Sequence, residues 1–160
     1  MKKSTLKKLS LLTVLLLLFT LLAACGSAGQ TGAGLQNETG PAAELPDQNG
    51  SYTSAEDVSA YLIAYGQLPQ NFITKKEARD LGWEGGSLEP YAPGKCIGGD
   101  RFGNYEGTLP EKDGRTYYEC DINTLGADSR GAERLVFSSD GLIYYTADHY
   151  ESFTLLYGEE

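Results

Sequence analysis

Arg115-Thr116-Tyr117-Tyr118-Glu119-Cys120-Asp121-Ile122 alternates between two kinds of side chain. Successive residues of a strand point to opposite faces, so Thr116, Tyr118, Cys120 and Ile122 share one face and Arg115, Tyr117, Glu119 and Asp121 the other. The first set belongs on a hydrophobic core. The second sends Glu119 and Asp121 towards what is expected to be the open face of a sheet. A row of carboxylates on a solvated strand is common, and alone it assigns no chemistry.

The same period of two continues on either side. CIGGDR (96–101), RLVFSS (134–139), LIYYTA (142–147) and SFTLL (152–156) are short, β-branched or aromatic runs. They are separated by GNYEG, NTLGADSRGA, SSDG and ADHY, which have the composition of turns. Upstream the period is helical. Ser54 precedes Val58, Tyr61, Leu62 and Tyr65, an apolar stripe expected to stop near Gly66, after which Pro69 forbids continuation. Thr74 and Glu77 have capping-box spacing for a second short helix stopping at Gly82, and residues 87–91 suggest one further turn. Helices followed by strands imply an α+β domain, with the helices on one face of a five-stranded antiparallel sheet.

The first 24 residues are set apart from this fold. Lys2, Lys3, Lys7 and Lys8 precede an almost wholly apolar run over 9–22, the layout of a secretory signal. Small residues before Cys25 resemble a lipobox, so residues 1–24 are read as a lipoprotein-type signal and Cys25 as the lipidated residue. Cleavage after Ala24 without a lipid, and a transmembrane helix, are the alternatives, although the run is short of the roughly 20 residues a span needs. The protein is thus expected outside the cell, tethered to the outer face of the membrane. Residues 26–50 hold six glycines, no Lys or Arg and no aromatic; residues 25–50 are therefore read as a disordered tether, spanning about 25–30 Å as a coil. Residues 51–160 carry nearly all the aromatics and suffice for one core.

Removing residues 1–24 leaves nine basic and 22 acidic residues, a formal charge of −13 against −9 for the whole chain. Such a balance opposes a polyanionic substrate unless the site is locally positive. With Cys25 lipidated, Cys96 and Cys120 remain as an even pair in a compartment where disulfides persist.

Several residues carry candidate chemistry. His149, the one histidine, lies in the turn before the last strand and titrates in the range suited to proton transfer; a lone histidine there is more often a polar turn residue. Arg130 and Arg134 are spaced to grip a phosphate, or to pair with Asp121, Asp128 or Glu133. Lys75 follows the Thr74 cap, at a helix end that welcomes anions. One histidine and two cysteines make no convincing ligand cluster, so no metal or cofactor is expected.

Taken together, YLIAYGQLPQNFITKKEARDLGW, APGKCIGGDRFGN, EGTLP, DGRTYYECDIN, RGAER (130–134), SSDGLIY and TADHYESFTLLY resemble the barnase family of secreted guanyl-preferring ribonucleases over residues 52–157. The resemblance implies a metal-independent endoribonuclease cleaving single-stranded RNA after guanosine, through a 2′,3′-cyclic phosphate that is then hydrolysed. Glu119 would be the general base, His149 the general acid, and Lys75, Arg130 and Arg134 the cations on the phosphoryl group. Gly103, Asn104, Tyr105 and Glu106 would address guanine, with Tyr150 stacking on the base.

The resemblance also implies a monomer and a barstar-like acidic inhibitor. Family members usually carry an arginine at the position of Tyr105, so weaker binding of that inhibitor is expected, with stacking of Tyr105 on guanine in its place. Cys96 and Cys120, where the family has small residues, would lie on adjacent strands, close enough for a bridge. Two other readings remain open at this point: a catalytically inactive, surface-anchored binding protein on the same fold, and an antibacterial ribonuclease toxin.

Overall fold

The structure, a computed structural model, describes residues 44–160. The signal segment, Cys25 and most of the expected tether lie outside the described residues. Helix α1 (Ala55–Tyr65) begins at Ser54, whose hydroxyl accepts the Asp57 N–H, and ends at Gly66, where φ is +66°. That left-handed stop suits a residue without a Cβ. Strand β1 (Phe72–Ile73) precedes helix α2 (Lys75–Asp80), which opens with the Thr74–Glu77 capping box in full. Residues 87–91 form only a hydrogen-bonded turn, with Tyr91 and Ala92 both bonding back to Leu88.

Five further strands follow: β2 (Cys96–Phe102), β3 (Tyr117–Asp121), β4 (Arg134–Ser138), β5 (Ile143–Thr146) and β6 (Thr154–Tyr157). They form one sheet in sequence order, β1 to β6. The five expected antiparallel strands are present. The sixth, β1, adds two residues parallel to β2 at the edge, Phe72 opposite Cys96 and Ile73 opposite Ile97. Two residues carry no period, which is why the sequence pattern missed it.

The alternation of β3 decides how the sheet is covered. Cys120 and Ile122 join Val58 and Leu62 of α1, Leu135 and Ile143 in the main core. A second cluster, Ala78, Trp83, Leu88, Ala92 and Ile97, lies beneath α2. The opposite face is not the open surface expected. Leu109, Tyr117, Val136, Leu142 and Tyr144 are buried there, with Phe102, Tyr150 and Phe153 packed against them. Leu109, Tyr150 and Phe153, from loops, close over the strand residues Tyr117, Val136 and Tyr144, and the cluster walls the carboxylates of β3 in.

Cys96 and Cys120 are buried free thiols, and the expected bridge is absent. Register is the reason: Cys120 faces Gly98, with a bulge between Gly98 and Asp100, so Cys96 is only a diagonal neighbour, typically about 7–8 Å away. A disulfide needs Cα atoms about 4.4–6.8 Å apart. The Cys96 sulfur lies instead 3.9 Å from Asn71 Nδ2 and 4.0 Å from Thr53 Oγ1. Gly98 itself permits the close approach, since a Cβ there would meet Cys120 Cβ at 2.6 Å.

The last residues of the expected tether are part of the domain. Tyr65 donates to the Pro46 carbonyl at 2.5 Å, Tyr52 to Asp47 at 3.1 Å and Tyr61 to Gln48 at 3.1 Å. Gln70 Nε2 donates to the Asn49 carbonyl at 2.8 Å. Composition hid this strap because its contacts are made by carbonyl oxygens. A chain beginning at Glu44 is therefore expected to be more stable than one beginning at Ser51 by about 1–3 kcal/mol, a few net hydrogen bonds. Urea unfolding of the two measures the difference.

Candidate active site

Six of the residues singled out from sequence converge on the walled face of β3: Glu119, Asp121, Lys75, Arg130, Arg134 and Tyr150. Glu119 is 8% exposed and Asp121 2%. Lys75 Nζ pairs with Glu119 Oε1, and the Tyr150 hydroxyl donates to Glu119 Oε2, so both carboxylate oxygens have donors. Asp121 takes the next position on that face. Arg130 grips it with Nε at 2.6 Å and Nη2 at 2.8 Å, and Arg134 Nε lies 2.9 Å from its Oδ1.

The two arginines are supported differently. Arg134 is 2% exposed and its Nη1 donates to the carbonyls of Arg130, Gly131 and Glu133 at 3.1, 3.2 and 2.7 Å. Arg130 lies 5.5 Å over the Trp83 ring, a cation–π contact. Asp121 draws the Arg130 guanidinium further towards its charged form. The surface pairing with Asp128 or Glu133 weighed from sequence gives way to a buried cluster centred on Asp121.

The positive start of α2 is occupied. The Lys75 N–H donates to Asp100 Oδ2 at 2.8 Å, and Thr74 and Glu77 cap each other. Asp100 sits opposite Glu119 in the β2–β3 register, a pairing across the chain that no local motif announced. The three cations therefore stand among three carboxylates, Glu119, Asp121 and Asp100, and the expected excess of positive charge is not built in.

His149 is exposed at the rim. Its N–H donates to the Ala132 carbonyl at 3.2 Å, tying it to the arginine-bearing loop, and its ring lies 4.7 Å from that of Tyr150. His149 and Tyr150 have φ of +59° and +78°. Left-handed backbone costs a non-glycine residue about 1–2 kcal/mol, so this turn needs fastening. Tyr150 N–H donates to Thr146 Oγ1 at 3.0 Å, Thr146 donates to Asp148 Oδ1 at 2.7 Å, and the Ser152 N–H donates to Asp148 at 3.0 Å. The Ser152 hydroxyl and N–H, with Thr146, hold the Asp148 carboxyl down at about 2.

The loop after β2 adjoins this turn, because Phe102 packs on Tyr150 with ring centroids 5.2 Å apart. The side chain of Asn104, one of the residues expected to address guanine, is engaged within the loop. Its amide bonds the Leu109 carbonyl at 2.9 Å and the Leu109 N–H at 3.0 Å, pinning the loop. The Tyr105 ring lies over the Gly103 backbone, while Tyr105 is 95% exposed. Glu106 is exposed beside it.

A family model described as ribonuclease matches residues 55–157. A ribonuclease of Bacillus intermedius is 54% identical over 101 residues, 62% of this chain and 62% of that protein; the chain thus spans a little under two thirds of that relative. A ribonuclease of Heyndrickxia coagulans is 54% identical over 100 residues, 61% of this chain and 91% of that protein. The guanyl-specific ribonuclease St of Saccharopolyspora erythraea is 46% identical over 57 residues, 36% of this chain and 56% of its own length.

Two consequences can be measured. Asp121→Ala strands two guanidiniums, one fully buried, and is expected to destabilise the fold by about 3–5 kcal/mol in urea unfolding. Asp148 has a lowered pKa, so its contribution to stability is complete above the ordinary carboxylate range and lost as pH falls through about 2. The thermal midpoint of the wild type should exceed that of Asp148→Asn at pH 5, the gap closing towards pH 2.

Proposed function

Because the chain belongs to the ribonuclease family, we propose that it is an endoribonuclease that cleaves single-stranded RNA after guanosine. Cleavage proceeds by transphosphorylation to a 2′,3′-cyclic phosphate, which is then hydrolysed. The observation that carries this reading is the convergence of Glu119, Lys75, Arg130 and Arg134 on one walled face, with His149 on the adjoining turn.

The chemistry needs a base on one side of phosphorus and an acid on the other. Glu119 takes the ribose 2′-hydroxyl proton, the 2′-oxygen attacks phosphorus, and His149 protonates the departing 5′-oxygen. The roles reverse when water opens the cyclic phosphate. Each proton transfer contributes on the order of 10² to 10⁴ in rate. Lys75, Arg130 and Arg134 stabilise the charge that grows on the phosphoryl oxygens. Each oxygen of Glu119 has one donor in the free protein, and each keeps a further lone pair to accept the ribose proton, while Lys75 can turn from Oε1 towards the phosphate.

Guanine is read by the 103–106 loop. Its backbone N–H groups and Glu106 address the Watson–Crick edge, and the exposed Tyr105 adds a stacking surface of the kind worth about 1–3 kcal/mol per base. Asn104 shapes the loop rather than touching the base. Outside the cell, the domain is carried on a tether from a lipid at Cys25; this part of the proposal rests on the sequence of residues 1–50 alone. A barstar-like acidic inhibitor is expected to bind weakly, having lost its arginine contact at position 105.

The test is to incubate residues 44–160 with guanosine-containing RNA in chelator. The expected product is RNA ending in guanosine 2′,3′-cyclic phosphate, its formation reduced on the order of 10² to 10⁴ by Glu119→Ala or by His149→Ala. Intact RNA at high protein concentration would overturn the proposal.

A further inference from the structure

Tyr150 is built into the site in a way that base stacking does not explain. A residue that only stacks needs an open ring face and makes no use of a phenol. Here one ring neighbour is Phe102 at 5.2 Å, another is His149 at 4.7 Å, and the hydroxyl is what enters the site, donating to Glu119 Oε2. The ring is held by the apolar cluster of Leu109, Tyr117, Val136, Leu142 and Tyr144. The backbone is held in a left-handed turn by the bond from Tyr150 N–H to Thr146 Oγ1. Strained backbone that surrounding bonds over-determine is characteristic of functional positions.

The partner on the other oxygen is of a different kind. Lys75 reaches Glu119 through a flexible four-carbon stem, which fixes a distance but not the plane of the carboxylate. Tyr150 has two side-chain torsions and a packed ring. A donor on each oxygen, one of them rigid, sets the direction in which the lone pairs of Glu119 point.

We propose that Tyr150 is a positioning residue for Glu119: its hydroxyl holds the carboxylate in the orientation from which it accepts the 2′-hydroxyl proton, and its ring ties that orientation to Phe102, where the base-reading loop begins. The inference rests on the reading of Glu119 as the general base. The phenol keeps its proton throughout, since burial and the adjacent carboxylate both push its ionisation upward. The proton that moves is that of the ribose: the 2′-O–H bond breaks and an O–H bond forms on Glu119.

Other charged groups surround Glu119 and must be weighed with the phenol. Lys75 comes from α2, Asp100 from β2, Asp121 from β3 itself, Arg130 from the loop after β3, Arg134 from β4, and Asp148 and His149 from the turn that carries Tyr150. Tyr150→Phe leaves all of these in place and keeps the ring. It removes one hydrogen bond that favours the carboxylate, so the proton affinity of Glu119 should rise.

The experiment follows the carbon-13 signal of the Glu119 carboxyl against pH in the full-length chain, alongside the pH profile of kcat/KM for a guanylyl dinucleoside. In Tyr150→Phe both the titration and the acid limb of the profile are expected to move to higher pH together, with KM little changed. Tyr150→Leu, which also removes the ring, should reproduce the shift. A titration unchanged in both variants would overturn the proposal, as would a rise in KM with the acid limb unmoved, which would make Tyr150 a binding residue only. If the wild type cleaves nothing, the reading of Glu119 as base fails, while the carboxyl titration still decides whether Tyr150 orients it.

Discussion

Asp121 is the constraint on which the rest of the site depends. It is fully buried, takes two hydrogen bonds from Arg130 and lies 2.9 Å from Arg134 Nε. Two guanidiniums can stand together in a low-dielectric region only with a carboxylate between them. Asp121 is also the last residue of β3, so the pairing of that strand with β2 and β4 fixes its depth. The neighbour it thereby positions, two residues back on the same face, is Glu119. A single strand carries the carboxylate that gathers the arginines and the carboxylate assigned to the chemistry, while Cys120 between them reaches the opposite core.

The elements with a clear period were legible. The Thr74–Glu77 capping box, the stop at Gly66 and five strands follow from local pattern, and the sequence pattern assigned the two faces of β3 correctly. What escaped the sequence depends on residues far apart in the chain. Asp100 meets the start of α2 across 25 positions, and Phe102 meets Tyr150 only after the sheet has closed. The open face became a walled one because Leu109, on a loop with no period of its own, and Phe153, which lies just before β6 and not in it, pack onto it. The cysteines show the same limit in the other direction. An even count suggested a bridge, but the register sets Cys120 opposite Gly98 and leaves Cys96 two residues further along β2.

Within the candidate site, residue types were easier to read than their occupations. Asn104 has the side chain of a base-reading residue and spends it on Leu109, so its service to the loop is geometric. Tyr150 has the ring of a stacking residue, and its hydroxyl goes to Glu119. In both cases the polar atoms were visible in the sequence and their partners were not.

The acidity of the chain takes on a definite meaning from this geometry. Lys75, Arg130 and Arg134 are all engaged with carboxylates, so the site offers a polyanion little net attraction from a distance. Binding must come from exchange at contact range, a phosphate replacing Glu119 as the partner of Lys75 and sharing the arginines with Asp121. Exchange has a catalytic side. On the proposed function, the same exchange turns Lys75 from Glu119 to the phosphoryl group, so the lysine leaves the base as it takes its place on the substrate. On that proposal the balanced site gives up long-range capture of RNA and ties the arrival of substrate to the release of Glu119 from Lys75, with Tyr150 keeping the carboxylate aimed while its other partner departs.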